Sequence, residues 1–307
     1  MDRDTVATMP SGRRSGTPAL GTTYQPRRPL LLDAILPHVD VLEVSPDSLV
    51  EATDGPTMDT EALEELSCLG ADISFVAHGV GLSMASHDDW WDGYLHCLDQ
   101  LVGAVPLHWH SEHLGFTRVN GEFLGTMLAA PRTDEMLALL AGRISLLQAR
   151  YPIPFLVENV VGLLPDFPAP HSQAGFLNRL VEATGCGLLL DVYNLRCDEA
   201  NQGLSIEAFL DELHLDAVVE LHVAGGVDYR GFTLDVHSRP PLVSTLELTH
   251  RVIARCPNLR LVTYELMEEA VEPLGTGAIV DSLRMTREIA LGGSQLRLAG
   301  TEVGAVR

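Results

Sequence analysis

Eight short apolar segments alternate with longer amphipathic segments along the chain, and this alternation constrains the fold more than any other feature. Short apolar runs predict buried strands, and the segments between them have the period of helices. The strand candidates are Ala19–Tyr24, Val39–Val44, Ile73–His78, Val105–His110, Phe155–Val160, Gly187–Val192, Val218–Val223 and Arg260–Leu266. This order predicts an α/β protein with a (β/α)8 TIM-type barrel, parallel throughout; a doubly wound open sheet is the alternative.

No internal repeat and no long linker divides the 307 residues, so a single domain is the simplest interpretation. Apolar residues make up 46% of the chain, which is enough for a sizeable core. We assign 19–291 to the catalytic barrel. Segment 1–18, rich in Gly, Ser, Pro and Arg, is expected to be a disordered lead-in, and 292–307 a flexible tail.

The charge and the cysteines restrict the partners and the compartment. Lys and Arg number 20 against 42 Asp and Glu, a formal charge of −22, which argues against nucleic acid or an anionic membrane as partner. The five cysteines form an odd set without a CxxC pair, as expected for free thiols in the cytoplasm. The N-terminus lacks the apolar region of a signal peptide, and no run of about 18 apolar residues predicts a transmembrane helix.

Ionisable and amide side chains gather at the ends of the predicted strands. In a barrel these ends meet at one mouth, where the chemistry takes place. The residues concerned are Glu43, His78, Glu158, Asn159, Asp191, Asn194, His222 and Glu265, with Asp235 and His237 in the loop after the seventh strand. A single residue of this kind is often a polar cap, but six of eight strands ending in His, Asp or Glu indicate a site.

The residue types at these ends favour a metal centre. Carboxylates crowded into a barrel mouth repel one another and lose hydration, and a cation removes both costs. Neutral imidazole is a common transition-metal ligand, and the strand ends carry no cysteine. The set suits iron or manganese and can suit zinc. About nine candidates at four to six ligands per ion imply two or three ions sharing a carboxylate.

The histidine-rich segment Leu107–Phe116 divides into two parts. His108 and His110 alternate with apolar residues and so share one face of the predicted strand, where a structural hydrogen-bonding role is expected. The loop is expected to begin at Ser111, which makes His113 the candidate ligand.

Seven motifs in order, HGVGLS, SEHLGF, ENV, LLLDVYN, ELHVAGG, DVHSRP and YELM, resemble the multinuclear non-haem iron-dependent oxidative enzymes, formerly domain of unknown function 692. The similarity spans roughly residues 19 to 290. It implies a (β/α)8 barrel with two or three irons, Fe2+ and Fe3+, that uses dioxygen to modify a residue of a ribosomally made precursor peptide. The residue is often cysteine, and a small partner protein or recognition domain commonly delivers the peptide.

The resemblance also assigns residues to the irons. The positions that match ligands of the first iron are His78, His113 and Glu158. Those that match the second iron are Asp191, His222 and Glu265, and this iron shares Glu158 with the first. Asn194, Asp235 and His237 match the third iron site. We take Glu158, Asp191 and Glu265 as the catalytic residues among them.

The chain departs from the family pattern in three places. Asp47-Ser48 replaces the usual Glu-Asn pair, Val192-Tyr193-Asn194 replaces an Asn-Asn pair after Asp191, and the segment around Glu265 is looser than usual. The ligand positions are intact, so metal binding is expected.

Two other functions fit the same strand ends. A divalent-metal sugar isomerase or epimerase uses such residues at the mouth of the same barrel, with Glu43 or Glu265 as the base. A barrel that only binds metal or a peptide is the third interpretation.

Overall fold

The computed structural model describes residues 17–51, 57–87, 92–164 and 169–290, and its central element is a closed barrel of eight parallel strands. The strands are β1 (Ala19–Thr23), β2 (Val41–Val44), β3 (Ser74–Gly79), β4 (Leu107–His113), β5 (Phe155–Glu158), β6 (Gly187–Asp191), β7 (Val218–Val223) and β8 (Leu261–Tyr264). They follow one another around the barrel, and β8 pairs with β1 through Ala19 and Leu261. The predicted (β/α)8 barrel is confirmed, and this closing pair rules out the open sheet.

Helices cover the outside of the barrel. Those within the described residues are α1 (Pro29–Ile35), α2 (Thr60–Leu69), α3 (Asp92–Ala104), α4 (Asp134–Arg150), α5 (Gln173–Thr184), α6 (Val192–Gln202), α7 (Ile206–Glu212), α8 (Val243–Arg255) and α9 (Glu268–Ala290), with 3-10 turns at Leu36–His38, Pro46–Leu49 and Leu215–Ala217. Helix α5 ends before Gly185, which adopts the left-handed conformation at φ 70°. No helix in these ranges is long and apolar enough to cross a membrane.

An apolar layer fills the barrel below the strand ends. It consists of Trp109, Val41, Val76, Leu156, Leu189 and Leu261. The Trp109 Nε1–H donates a 2.8 Å hydrogen bond to Glu220, and the Thr263 hydroxyl donates one of 2.7 Å to the other carboxyl oxygen of Glu220. The layer therefore closes the barrel from below and leaves the mouth as the side from which the polar strand ends are reached.

The predicted strands differ from the observed ones mainly at β4, which runs to His113 and not only to His110. Three antiparallel strand pairs were not predicted: Val50–Glu51 with Thr57–Met58, Gly115–Val119 with Glu122–Ala129, and Val227–Tyr229 with Phe232–Leu234. They follow β2, β4 and β7, on the mouth side of the barrel. The expected tail 292–307 and nearly all of the lead-in 1–18 lie outside the described residues.

Candidate metal centre

The ends of β3, β4 and β5 bring His78, His113 and Glu158 together. The Nε2 atoms of His78 and His113 lie 3.2 Å and 3.3 Å from Oε2 of Glu158. Glu158 is fully buried and His78 nearly so. These three residues, which the family resemblance assigns to one ion, offer donor atoms within 4.8 Å of one another.

Hydrogen bonds fix which nitrogen of each ring faces Glu158. The Nδ1 of His113 lies 3.0 Å from the carbonyl of Gly79, which can only accept a hydrogen bond. The Nδ1 of His78 lies 3.0 Å from the Ser111 hydroxyl, which itself donates to the Ala77 carbonyl. Both Nδ1 atoms therefore carry the proton, and both Nε2 atoms present a lone pair toward Glu158.

A second group of buried ligand atoms shares Glu158. The donor atoms of Glu158, Asp191, His222 and Glu265 lie within 4.8 Å of one another. Nδ1 of His222 is 2.7 Å from Oε2 of Glu265 and 3.8 Å from Oε1 of Glu158. Glu158 thus points one oxygen toward each group, as a bridging carboxylate would.

The loop after β7 adds His237 and Asp235 beside this group. Nε2 of His237 lies 2.5 Å from Asp235 and 3.5 Å from Asp191, and its Nδ1 lies 3.0 Å from Glu265. Asp191 also caps α6, because its Oδ1 accepts the amide hydrogens of Tyr193 and Asn194. His237 has φ 39°, in the left-handed region of backbone conformation.

Burial and neighbouring charges shift the pKa values of the group. Burial raises the pKa of Glu158 well above its usual value and that of Asp191 to about 7. Burial would also raise the pKa of Glu265, but His237 and His222 hold it well below the usual value. Burial lowers the pKa of His78 and His113, which keeps both rings neutral and able to bind a metal.

Eight buried atoms in this centre have no hydrogen-bond partner within the described residues. They are His78 Nε2, both carboxyl oxygens of Glu158, Asp191 Oδ2, Asn194 Oδ1, His222 Nδ1, His237 Nε2 and Glu265 Oε2. The charges of Glu265 and Asp191 repel that of Glu158, and buried polar groups without hydrogen bonds are costly. A cation between them would remove both penalties, so the residues fit a metal centre.

Three further residues support these groups, and sequence reasoning missed two of them, Ser111 and Glu220. Glu43, predicted as a strand-end residue and as a possible base for sugar chemistry, lies 2.9 Å from Nε2 of His222. Ser111 orients His78, and Glu220 lies below the site, where burial and the charge of Glu43 raise the pKa of Glu220 to about 8. Ser111 and Glu220 come two residues before His113 and His222, so the strand period could have found them.

The other two histidines of β4 point away from the centre. Nε2 of His110 lies 2.9 Å from the Tyr94 hydroxyl, and its ring packs against Phe155 and Tyr151. His108 is half-buried, and its pKa is lowered by burial and by Arg260. Neither belongs to the groups of residues that could hold an ion.

Comparison with known protein families gives a match over most of the chain. The family model of the RiPP precursor modification enzyme MbnB/TglH/ChrH matches residues 21–267, most of the chain and every barrel strand except the first residues of β1. The chain belongs to this family. The resemblance in the seven motifs is therefore confirmed, and the MbnB/TglH/ChrH family consists of enzymes that modify precursor peptides.

Two curated relatives of this MbnB/TglH/ChrH member are described as UPF0276 proteins. The one from Streptomyces avermitilis is 31% identical over 258 residues, which cover 81% of this chain and 51% of the relative. The chain thus spans about half the length of that relative. The one from Rhizorhabdus wittichii is 31% identical over 213 residues, 69% of this chain and 75% of the relative.

Among solved structures, the D-psicose 3-epimerase of Clostridium cellulolyticum H10, determined with D-tagatose, is similar in fold. The TM-score is 0.57, and the match covers 89% of this chain and 99% of the epimerase. Because the sequence identity is 11%, the comparison shows only that the epimerase and this MbnB/TglH/ChrH member share a fold.

Proposed function

We propose that the chain is a multinuclear non-haem iron enzyme that uses dioxygen to oxidise a residue, a cysteine, of a ribosomally made precursor peptide. The observation that carries the proposal is the convergence, at the barrel mouth of a member of a peptide-modifying family, of eight buried ligand atoms that make no hydrogen bond within the described residues. Imidazole and carboxylate ligands without cysteine suit iron.

The proposed ligands form three sets. They are His78, His113 and Glu158; Glu158, Asp191, His222 and Glu265; and Asn194, Asp235 and His237. Iron held in these sets with an open position would supply the reaction with dioxygen and with the redox step.

The chain's own residues would orient the ligands and exclude water. The Gly79 carbonyl and the Ser111 hydroxyl hold the rings of His113 and His78, and the apolar layer around Trp109 keeps water from the barrel interior below. Of the three proposed catalytic carboxylates, Glu265 is 9% exposed while Glu158 and Asp191 are fully buried. Glu265 is therefore the carboxylate that a substrate entering from the mouth meets first.

The surroundings of the mouth favour a peptide over a sugar as substrate. Large apolar side chains are exposed in the segments that follow β3, β4, β7 and β8: Val80, Val119, Phe123, Leu124, Tyr229, Phe232, Val236 and Met267. Exposed apolar groups around a polar site are typical of surfaces that bind peptides or proteins. A small partner protein that delivers the peptide would use the same rim, and this remains part of the proposal.

The sugar isomerase interpretation draws no separate support from the structure. The likeness to D-psicose 3-epimerase is one of fold, and a fold does not carry its chemistry with it.

Anaerobic purification followed by metal analysis and peptide turnover tests the proposal. The expected result is two or three irons per chain and an oxygen-dependent mass change in a short cysteine-bearing peptide encoded beside the gene. Full manganese or zinc occupancy with sugar turnover would overturn the iron assignment. Iron without any oxygen-dependent change in the peptide would favour a barrel that only binds.

A further inference from the structure

A short hairpin leads directly into the loop that carries Asp235 and His237. Its strands, Val227–Tyr229 and Phe232–Leu234, pair with each other and with no other strand of the described chain. Tyr229 and Phe232 at its tip are 55% and 56% exposed, so this end does not pack into the core. A lone two-stranded hairpin is marginally stable in water, and its position must be fixed by other contacts.

The first of these contacts is made by Asn201, near the end of α6. Its amide nitrogen donates a 2.8 Å hydrogen bond to the Thr233 carbonyl, and its oxygen accepts one of 2.9 Å from the Thr233 amide. Both backbone groups of one hairpin residue are therefore satisfied by a single side chain. This holds the second strand against α6 in one register.

The second contact is made by Tyr193, in the first turn of the same helix. Its hydroxyl accepts a hydrogen bond from the Gly226 amide and donates a long one, 3.5 Å, to the Leu234 carbonyl. The Gly226 amide and the Leu234 carbonyl lie at the base of the hairpin, and Leu234 directly precedes Asp235. A Cβ at Gly226 would lie 2.1 Å from the Leu234 carbonyl oxygen, so the base is closed tightly around the hydroxyl.

Tyr193 also touches the candidate centre. Its ring lies 6.4 Å from the His237 ring in an edge-on arrangement, and only 2% of the residue is exposed. His237 has φ 39°, a conformation that a residue other than glycine keeps only where its surroundings hold it. The helix that provides both contacts is capped at its N-terminus by Asp191, whose Oδ2 faces His237 at 3.5 Å.

We propose that α6 is the positioning element of the third ligand set: Tyr193 and Asn201 fasten the hairpin so that Asp235 and His237 meet Asp191 and Asn194. Both are positioning residues, because they act through the loop and not on a substrate. The part of the inference that concerns a metal rests on the proposed function; the fastening of the hairpin does not.

The test compares Asn201→Ala with Asn178→Ala in the full chain. Asn178 makes the same kind of amide bridge, to the Glu212 carbonyl and the His214 amide, between α5 and the end of α7. We expect Asn201→Ala to speed hydrogen exchange of residues 225–237 by about tenfold or more in chelator-treated protein, and to lower bound iron by about one ion per chain. Asn178→Ala should change neither.

A pair of conservative variants keeps the inference testable if the alanine variant misfolds. Tyr193→Phe removes only the hydroxyl at the hairpin base, and Tyr151→Phe removes one that bonds to Asp99 on the outside of the barrel. Tyr193→Phe should lower the affinity for the last ion bound by about tenfold and alter the Mössbauer component of that ion alone. Tyr151→Phe should leave both unchanged.

The outcomes separate this inference from the proposed function. Unchanged exchange of 225–237 in Asn201→Ala and Tyr193→Phe would overturn the fastening, and faster exchange with parental iron content and spectrum would overturn the positioning role. Equal iron loss in Asn178→Ala would show that the loss comes from a general decrease in stability, and would also overturn the positioning role. A parent protein that binds two ions and no third would agree with the proposed function and overturn the metal part of the inference, whereas a parent that binds no iron would overturn the proposed function. In both cases the exchange comparison would still decide whether α6 holds the hairpin.

Discussion

Nε2 of His222 lies 2.9 Å from a carboxyl oxygen of Glu43, although the two residues are 179 positions apart. The other ring nitrogen, Nδ1, faces Glu265 at 2.7 Å. Burial would lower the pKa of His222, but the carboxylates of Glu43 and Glu265 raise it well above its usual value. Glu43 thus holds the ring so that Nδ1 is the nitrogen directed at the centre.

Replacing Glu43 tests this orientation. Glu43→Ala removes the acceptor of His222, and we expect metal affinity to fall by about 10- to 100-fold in a chelator competition titration. Glu43→Gln retains an oxygen acceptor and should keep most of the affinity. Asp198→Asn, at a buried carboxylate that accepts the Gly162 amide, is the control and should bind as the parent does. An equal loss in Gln and Ala variants would instead make Glu43 a ligand, since its carboxylate is within 4.8 Å of donor atoms of His78 and His222.

Glu158→Ala should remove more than one ion. Its two oxygens face different groups, with Oε2 toward His78 and His113 and Oε1 toward His222. Losing a shared carboxylate empties both positions, so we expect iron per chain to fall by at least two ions. His108→Ala, on the outer face of β4, should keep the parental iron content. Retention of iron by Glu158→Ala would show that the carboxylate bridges nothing.

Glu220→Gln should change how the stability of the chelator-treated protein depends on pH. Burial, with the charge of Glu43, raises the pKa of Glu220 to about 8, so the folded state holds a proton there that the unfolded state releases at an ordinary glutamate pKa. The unfolded state then binds fewer protons between those two values, and stability falls as pH rises, by up to about 1.4 kcal/mol per pH unit.

The glutamine cannot ionise, so this loss should be absent from Glu220→Gln. Its amide can still accept from Trp109 and donate to the Thr263 hydroxyl, which keeps the packing. Urea unfolding at pH 5, 6, 7 and 8 measures the difference. Parallel curves for parent and variant would show that Glu220 ionises normally in the folded chain.

Gly79→Ala should destabilise the chain and disturb His113. A Cβ there would lie 1.8 Å from the Tyr94 hydroxyl and 2.2 Å from a Glu112 oxygen, and the Gly79 carbonyl holds Nδ1 of His113. Overpacking of this kind costs about 1–3 kcal/mol. Gly142→Ala, in α4 with nothing within 4 Å of the new atom, should instead stabilise by about 0.5–1 kcal/mol. Thermal unfolding distinguishes the two, and equal effects would refute the steric explanation.

The barrel could be predicted because several of its strands, such as Val41–Val44 and Leu261–Tyr264, are buried along their whole length and read as mainly apolar runs. The three antiparallel pairs could not, since strands such as Glu122–Ala129 are largely exposed and carry no apolar periodicity. The end of β4 was placed too early for a related reason. Ser111 and His113 are polar, yet they point inward, and polarity suggested a loop.

The candidate ligands were predictable as residues at strand ends, but their partners were not. Which oxygen of Glu158 faces which group depends on side-chain torsions, and the pairing of Glu43 with His222 depends on the curvature of the closed sheet. In the sequence, Tyr193 differs from the family pattern but gives no sign of its contact with the hairpin base, which depends on the folded chain.

The apolar layer around Trp109 has a kinetic consequence. Under the proposed function, a bulky peptide would reach the ligands from the mouth, because the apolar layer lies on their opposite side. A peptide seated there would obstruct later arrivals, so a co-substrate that used the same route would have to bind before the peptide.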